Sequence, residues 1–352
     1  MHGGLGGPPL LRLRAAPVFR LSAKDFFSPP RLAPTLARLM DSVSLGSSSV
    51  QVSRLAYGCW RILGHEGAEP NSEREAGAAK AITAAYEAGF TFFDHADVYA
   101  DGAAEKVFGD VLKKTAGMRE RVVITTKCGI RRKGVPNPDS PYRYDFSAEH
   151  IVKSCEASLK RLGVETIDIY QLHRPDYLMD PAEVAGAFAQ LKQQGKVRAF
   201  GVSNFRPQQF AALQRACSFP LLVHQVEISL AKLNPFDDGT IDQCLAEKVI
   251  PLAWSPLAGG RLSDTLPIDI NSPDHARRIG LRETLDDIAR DYGVSRTLIA
   301  LAWLLKHPAR IVPIIGTAKP ERIREAAQAD KVHLSRDEWY RLLEAARGER
   351  LP

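Results

Sequence analysis

The chain has 352 residues, 45% hydrophobic and 25% charged. This is the composition of a folded protein able to bury its own core, and it excludes a disordered or fibrous chain. The longest uninterrupted apolar run, Leu298–Leu305, is far short of the ~18 residues a membrane-spanning helix needs. The net charge of +6 is concentrated in residues 1–40, which hold six basic residues and one acid; residues 41–352 hold 41 basic and 40 acidic. A body so nearly neutral lacks the footprint of a nucleic-acid binder.

In chain order, residues 1–45 come first and are expected to lie outside the fold, as a disordered or targeting leader. The first forty are acid-poor, contain six Pro and four Gly, and show no sustained periodicity. Pro8, Pro9, Pro29 and Pro30 disfavour a single long amphipathic helix. Three readings stand: an organelle transit peptide, sequence ahead of a true start at Met40, or a disordered tail. The first would direct the protein to a mitochondrion or plastid, and the others leave it in the cytoplasm. The five cysteines (Cys59, Cys128, Cys155, Cys217, Cys244) form no C-x-x-C pair, so neither a disulfide framework nor a thiolate metal site is expected.

One domain is expected over 46–352. Eight strands are predicted at 55–60, 91–96, 122–128, 168–173, 197–203, 221–227, 250–255 and 311–316, each followed by a helical pattern. Ile151, Cys155, Leu159 and Leu162 repeat at helical spacing, with Gly163 as the stop. Asp180-Pro181 with Glu183 reads as a cap, a first-turn proline and a capping box. Residues 257–278 read as a long irregular insertion and 335–347 as a terminal helix. Strand then helix, eight times, predicts a single-domain α/β fold, the (β/α)8 TIM barrel. A doubly wound sheet would carry a glycine-rich fingerprint after its first strand, and Gly58-Cys-Trp-Arg-Ile is not one.

Function in such a barrel sits at the carboxyl ends of the strands. Strand alternation sends Asp94, Lys127, His173, Ser203 and Gln225 to one mouth and His95 to the outer face. Tyr99 follows five residues after Asp94. A lysine beside a tyrosine favours the phenolate, a carboxylate holds the lysine, and a neutral histidine can orient a carbonyl oxygen. This set fits carbonyl reduction, with the hydride coming from a nicotinamide cofactor. No metal-ligand pattern accompanies it. Cys128 reads as a buried inert thiol, and Arg174-Pro175 as either loop structure or a cofactor contact.

The segments F-F-D-H-A-D-V-Y, T-K-C, Q-L-H-R-P, G-V-S-N-F, Q-V-E, A-W-S-P-L-A-G-G-R and P-I-I-G-T-A-K-P-E-R-I, in this order, resemble the aldo-keto reductase family from about residue 54 to the C-terminus. Within it the chain looks most like the bacterial YdhF-type oxidoreductases. The resemblance implies an NADPH-dependent reductase with Tyr99 as proton donor, its pKa lowered by Lys127 and Asp94, and His173 orienting the carbonyl. Ser203, Asn204 and Gln225 match positions that hold the carboxamide, and Trp254 an aromatic that stacks on nicotinamide. Ser255, Leu257 and Arg261 match the pyrophosphate loop, and Gly316, Thr317, Lys319 and Arg322 the adenosine-phosphate segment. Trp60 joins the expected cofactor contacts. Lys319 and Arg322 favour NADPH over NADH, while Ala326 replaces an asparagine that often contacts adenine. The expected partner is a small carbonyl compound, with no nucleic acid or membrane, on a monomer or weak homo-oligomer. The same resemblance extends to channel-associated β subunits, so a cofactor-sensing regulatory subunit is the alternative. Selectivity is expected from mouth loops at 62–72, 129–146 and 257–278.

Overall fold

A computed structural model describes residues 1–4, 40–64, 71–264 and 274–351 of the chain. Most of the expected leader, the middle of the first mouth loop and residues 265–273 of the insertion therefore lie outside the described residues. Residues 1–4 carry no regular structure.

Strands such as Ile167–Leu172 and Leu221–Glu227 are buried along nearly their whole length, on both faces, and the second opens on the apolar run Leu221–Val223. The strands, in chain order, are β1 (Ser42–Ser44), β2 (Gln51–Ser53), β3 (Ala56–Gly58), β4 (Phe92–Asp94), β5 (Val123–Cys128), β6 (Ile130–Arg131), β7 (Arg143–Tyr144), β8 (Ile167–Leu172), β9 (Val197–Ser203), β10 (Leu221–Glu227), β11 (Ile250–Trp254) and β12 (Val312–Ile315). Eight of them, β3, β4, β5, β8, β9, β10, β11 and β12, close a barrel in that order, with every pair parallel. These are the eight predicted strands, and a helix follows each on the outside.

Strands β1 and β2 are an addition to the reading. They form an antiparallel hairpin whose Val43, Leu45 and Val52 join one apolar cluster with Phe92, Ile169 and Leu252 of the barrel. Residues 42–45 therefore belong to the fold, not to the leader. Their alternation of serine with Val43 and Leu45 is a strand signal, masked in the sequence by the serine run that follows.

Helix ends follow local chemistry. Gly163 takes a left-handed φ of 65° where the helix Ala148–Leu162 stops. Asp180 caps Pro181–Gln193 by accepting from Ala182 N. The expected capping box is not formed there: Glu183 instead accepts from Ala148 N at the start of the neighbouring helix, at 2.7 Å. The insertion is shorter than expected, because a helix begins at His275. The terminal helix, Arg336–Arg347, starts on a Ser335/Glu338 capping box and packs against His275–Tyr292.

The barrel interior changes character along its axis. Phe92, Ile169 and Leu252 fill an apolar layer. Two residues further along the same strands stand Asp94, Gln171 and Trp254. Period-two alternation thus stacks polar groups directly on the apolar floor at the carboxyl end.

Candidate active site

The carboxyl ends of the strands open into a cleft of about 1620 Å³ that runs from Tyr99 past Trp254 to Arg322. At its floor Lys127, with no exposed surface, is the central cation. Its Nζ donates to both oxygens of Asp94 at 2.8 Å, to His95 O at 2.6 Å and to Tyr99 Oη at 3.2 Å. Gln225 Nε2 donates to Asp94 Oδ1 at 2.7 Å. The Tyr99 and His173 rings meet edge to face, 5.8 Å between centroids. Four residues from β4, its following turn, β5 and the end of β8 are thus brought together as the sequence predicts. Lys127 alone does not line the cleft and acts from behind Asp94 and Tyr99.

Electrostatics follow from burial and this ion pair. Burial works against the Lys127 ammonium, but the Asp94 charge and the Tyr99 contact carry it above its ordinary value. Burial, then Lys127 and Arg174, holds His173 well below the ordinary histidine range, so the ring is neutral. Its Nδ1 is buried and has no partner among the described residues. Tyr99 departs from the expectation. Burial pushes its phenol up to about 12; Lys127 pulls it down, and Asp94 pushes it up. The carboxylate was expected to help lower this pKa, but two like-signed groups repel, so its effect on the phenolate is the reverse.

A second ionic group braces the Tyr99 turn from the outer face of the strands. Glu105, fully buried, accepts from Thr126 Oγ1 at 2.5 Å and pairs with Arg161 at 2.6 Å. The Arg161 side chain passes over Gly102, where a Cβ would lie 2.5 Å from it, and Gly102 has φ +87°. Both facts demand glycine at this point. The sequence reading missed this brace, although Glu105 shares a helical stripe with Phe108 and Leu112, where an apolar residue belongs. His95 lies on the outer face as expected, edge-on to Phe108 at 4.6 Å.

The expected cofactor residues are arranged along the rest of the cleft. Trp254 Nε1 donates to Asn204 Oδ1 at 3.0 Å, and Asn204 Nδ2 donates to Ser203 Oγ at 2.7 Å and His173 O at 3.1 Å. Ser255, Leu257, Arg261, Gly316, Thr317 and Arg322 line the wall beyond Trp254, with Ala326 beside them. Trp60 also lines the cleft and is 46% exposed. Lys319 is exposed at the cap of helix Pro320–Ala326 and does not line the cleft. Asn204, Ser255 and Ala258, with Ala100 and Asp101 beside Tyr99, are non-glycine residues in the left-handed region (φ 48–61°). Such strain, about 1–3 kcal/mol each, gathers where a loop is shaped for a ligand rather than for stability.

Comparison with known proteins agrees with this geometry. The Aldo/keto reductase family model matches residues 54–347. The 6-dehydroglucose reductase of Novosphingobium aromaticivorans is 44% identical over 314 residues, covering 88% of this chain and 96% of that protein. The oxidoreductase YdhF of Escherichia coli is 38% identical, covering 89% of this chain and all of its own length. The holo form of the aldo-keto reductase AKR11C1 from Bacillus halodurans superposes with a TM-score of 0.74 at 25% identity, over 87% of this chain and 96% of that one. With the closed parallel barrel and the clustered Asp94, Tyr99, Lys127 and His173 already in place, the chain belongs to the aldo/keto reductase family of oxidoreductases.

Proposed function

We propose that the protein reduces an aldehyde or ketone to the alcohol with NADPH, Tyr99 giving the proton. The observation that carries this reading is Lys127 Nζ, which holds Asp94 at 2.8 Å and the Tyr99 hydroxyl at 3.2 Å on the floor of an open cleft. Reductase names among the relatives support it.

A dinucleotide fits the donor set. Ser203, Asn204 and Gln225 offer hydroxyl and amide groups suited to a carboxamide, Trp254 offers a half-buried indole, and Arg261 and Arg322 bring positive charge to the far wall. Arg322 supports NADPH over NADH, since a guanidinium matches a phosphate in charge and geometry. Bound there, the reduced nicotinamide supplies the hydride.

The protein's own groups handle the oxygen. The neutral His173 ring leaves its buried Nδ1 as a lone pair, because a buried N–H without an acceptor costs more. Nε2–H is then the donor that orients the carbonyl oxygen. Tyr99 transfers its proton to that oxygen as the carbonyl carbon is reduced. The Lys127 ammonium stabilises the resulting phenolate, Asp94 holds the ammonium in place, and the phenolate recovers a proton from solvent.

Purified protein with NADPH should show a change in coenzyme fluorescence and consume NADPH with a panel of aldehydes. Tyr99→Phe should lower turnover by about 10²–10⁴-fold while coenzyme binding is kept. Full turnover in that variant would remove Tyr99 from the mechanism. Coenzyme binding with no turnover by the unaltered protein would favour the regulatory-subunit alternative.

A further inference from the structure

The Tyr99 end of the cleft carries more positive charge than carbonyl reduction needs. Arg61, Arg132, Lys133 and Arg174 line it. Arg132 is engaged: Nε meets Asp101 at 3.1 Å and Nη2 donates to Val98 O at 2.7 Å, so it clamps both flanks of Tyr99. The other three make no ion pair with a carboxylate among the described residues. The Asp94 charge is matched by Lys127, and Glu227, which also lines the cleft, pairs with none of them.

Arg174 is the most constrained of these cations. Its guanidinium lies 5.6 Å from the centre of the Trp254 ring. The indole is fixed by its bond to Asn204, and Asn204 is fixed in turn to the carbonyl of His173, the residue before Arg174. The platform and the backbone anchor of the guanidinium are therefore one hydrogen-bonded unit, which reduces the ordering a ligand would require. The charge sits near enough to His173 to help keep that ring neutral. A planar, half-buried guanidinium on an indole, with no carboxylate of its own, is a receptor for an oxyanion.

We propose that the preferred substrate is a short aldehyde or ketone bearing an oxyanionic group, held by Arg174 while its carbonyl oxygen faces Tyr99 and His173. Arg174, His173 and Tyr99 line the same cleft, so one small molecule can meet all three. Arg61 and Lys133, exposed at the rim, draw the anion toward the cleft. This rests on the reductase reading, and the test separates the two.

With NADPH, succinic semialdehyde is compared with butanal, and glycolaldehyde phosphate with glycolaldehyde. One charge-assisted hydrogen bond makes each acid better in kcat/KM by about ten- to a hundredfold, chiefly through KM. The advantage shrinks as salt is added. Arg174→Gln brings the acid-to-neutral ratio near one and Arg174→Lys restores part of it; the two pairs show whether carboxylate or phosphate is preferred. In parallel, binding of γ-hydroxybutyrate and of butanol to the protein with NADP+ is followed by calorimetry. Neutral aldehydes used as well as the acids, or γ-hydroxybutyrate binding untouched by Arg174→Gln, overturns the inference. Arg174-dependent binding of γ-hydroxybutyrate with no turnover of any aldehyde supports the oxyanion site and removes the reductase reading instead.

Discussion

Replacing Lys127 by Met removes the buried ammonium while nearly keeping its volume. Four hydrogen-bond contacts converge on Nζ, two of them to Asp94. Once it is gone, the Asp94 carboxylate, 3% exposed, keeps among the described residues the Gln225 bond alone, at 2.7 Å. An uncompensated buried charge of this kind costs about 3–5 kcal/mol of stability. Changing Asp94 to Asn in the same chain removes the stranded charge and leaves an oxygen to accept from Gln225. The double variant should therefore be about 2 kcal/mol or more stabler than Lys127→Met alone. Urea unfolding of the four proteins of this cycle, followed by tryptophan fluorescence at neutral pH, measures the coupling. A double variant that loses as much as the two single changes together would refute the claim that Asp94 and Lys127 form one electrostatic unit. Turnover should be nearly abolished in all three variants, so stability and catalysis are read separately.

Two further outcomes follow from single groups. Asp97, whose Oδ1 is buried, has its carboxyl raised to about 7 by burial and then by the Glu105 charge. An acid held high keeps a proton in the folded state that the unfolded chain releases, so wild-type stability falls as pH rises from about 4 to 7 and is level above that. Asp97→Asn should therefore gain relative to wild type across this window, by on the order of a few kcal/mol at pH 8. A difference independent of pH in urea titrations would show that Asp97 is not strained by burial. Arg322→Gln should raise KM for NADPH about tenfold or more and leave KM for NADH nearly unchanged; an equal effect on both coenzymes would remove Arg322 from contact with the extra phosphate.

The barrel was legible because its signals are local and repeated. Runs such as Val123–Thr126 need burial on both faces, and stops such as Gly163 mark the joints between strand and helix. Parity then carried Asp94, Lys127, His173 and Gln225 to one end without knowledge of any contact. What parity cannot give is a contact between side chains from distant elements. Glu183 was read as capping its own helix and instead caps another through Ala148. Glu105, Arg161 and Thr126 come from two helices and a strand and meet only when the barrel closes. The resemblance places Lys319 with Arg322 in the adenosine-phosphate segment, but Lys319 is the extended cap residue (φ −89°, ψ 116°) ahead of helix Pro320–Ala326, and of the two only Arg322 lines the cleft.

The hardest quantity to read was the acidity of Tyr99, because it is a balance of opposed effects. From sequence, a lysine and a carboxylate beside a phenol suggest a strong acid. In the folded protein burial disfavours the phenolate, Lys127 favours it, Asp94 opposes Lys127, and the pKa settles at about 12. This does not defeat the proposed role. At neutral pH the phenol is fully protonated and therefore always loaded. Its acceptor is an oxygen becoming an alkoxide, comparable in basicity to hydroxide and a far stronger base than a phenolate. Transfer from a phenol to such a base is downhill, so the site needs no unusually acidic tyrosine. It needs the phenolate to be held once formed, and Lys127 Nζ, 3.2 Å from that oxygen and locked by Asp94, is placed to hold it.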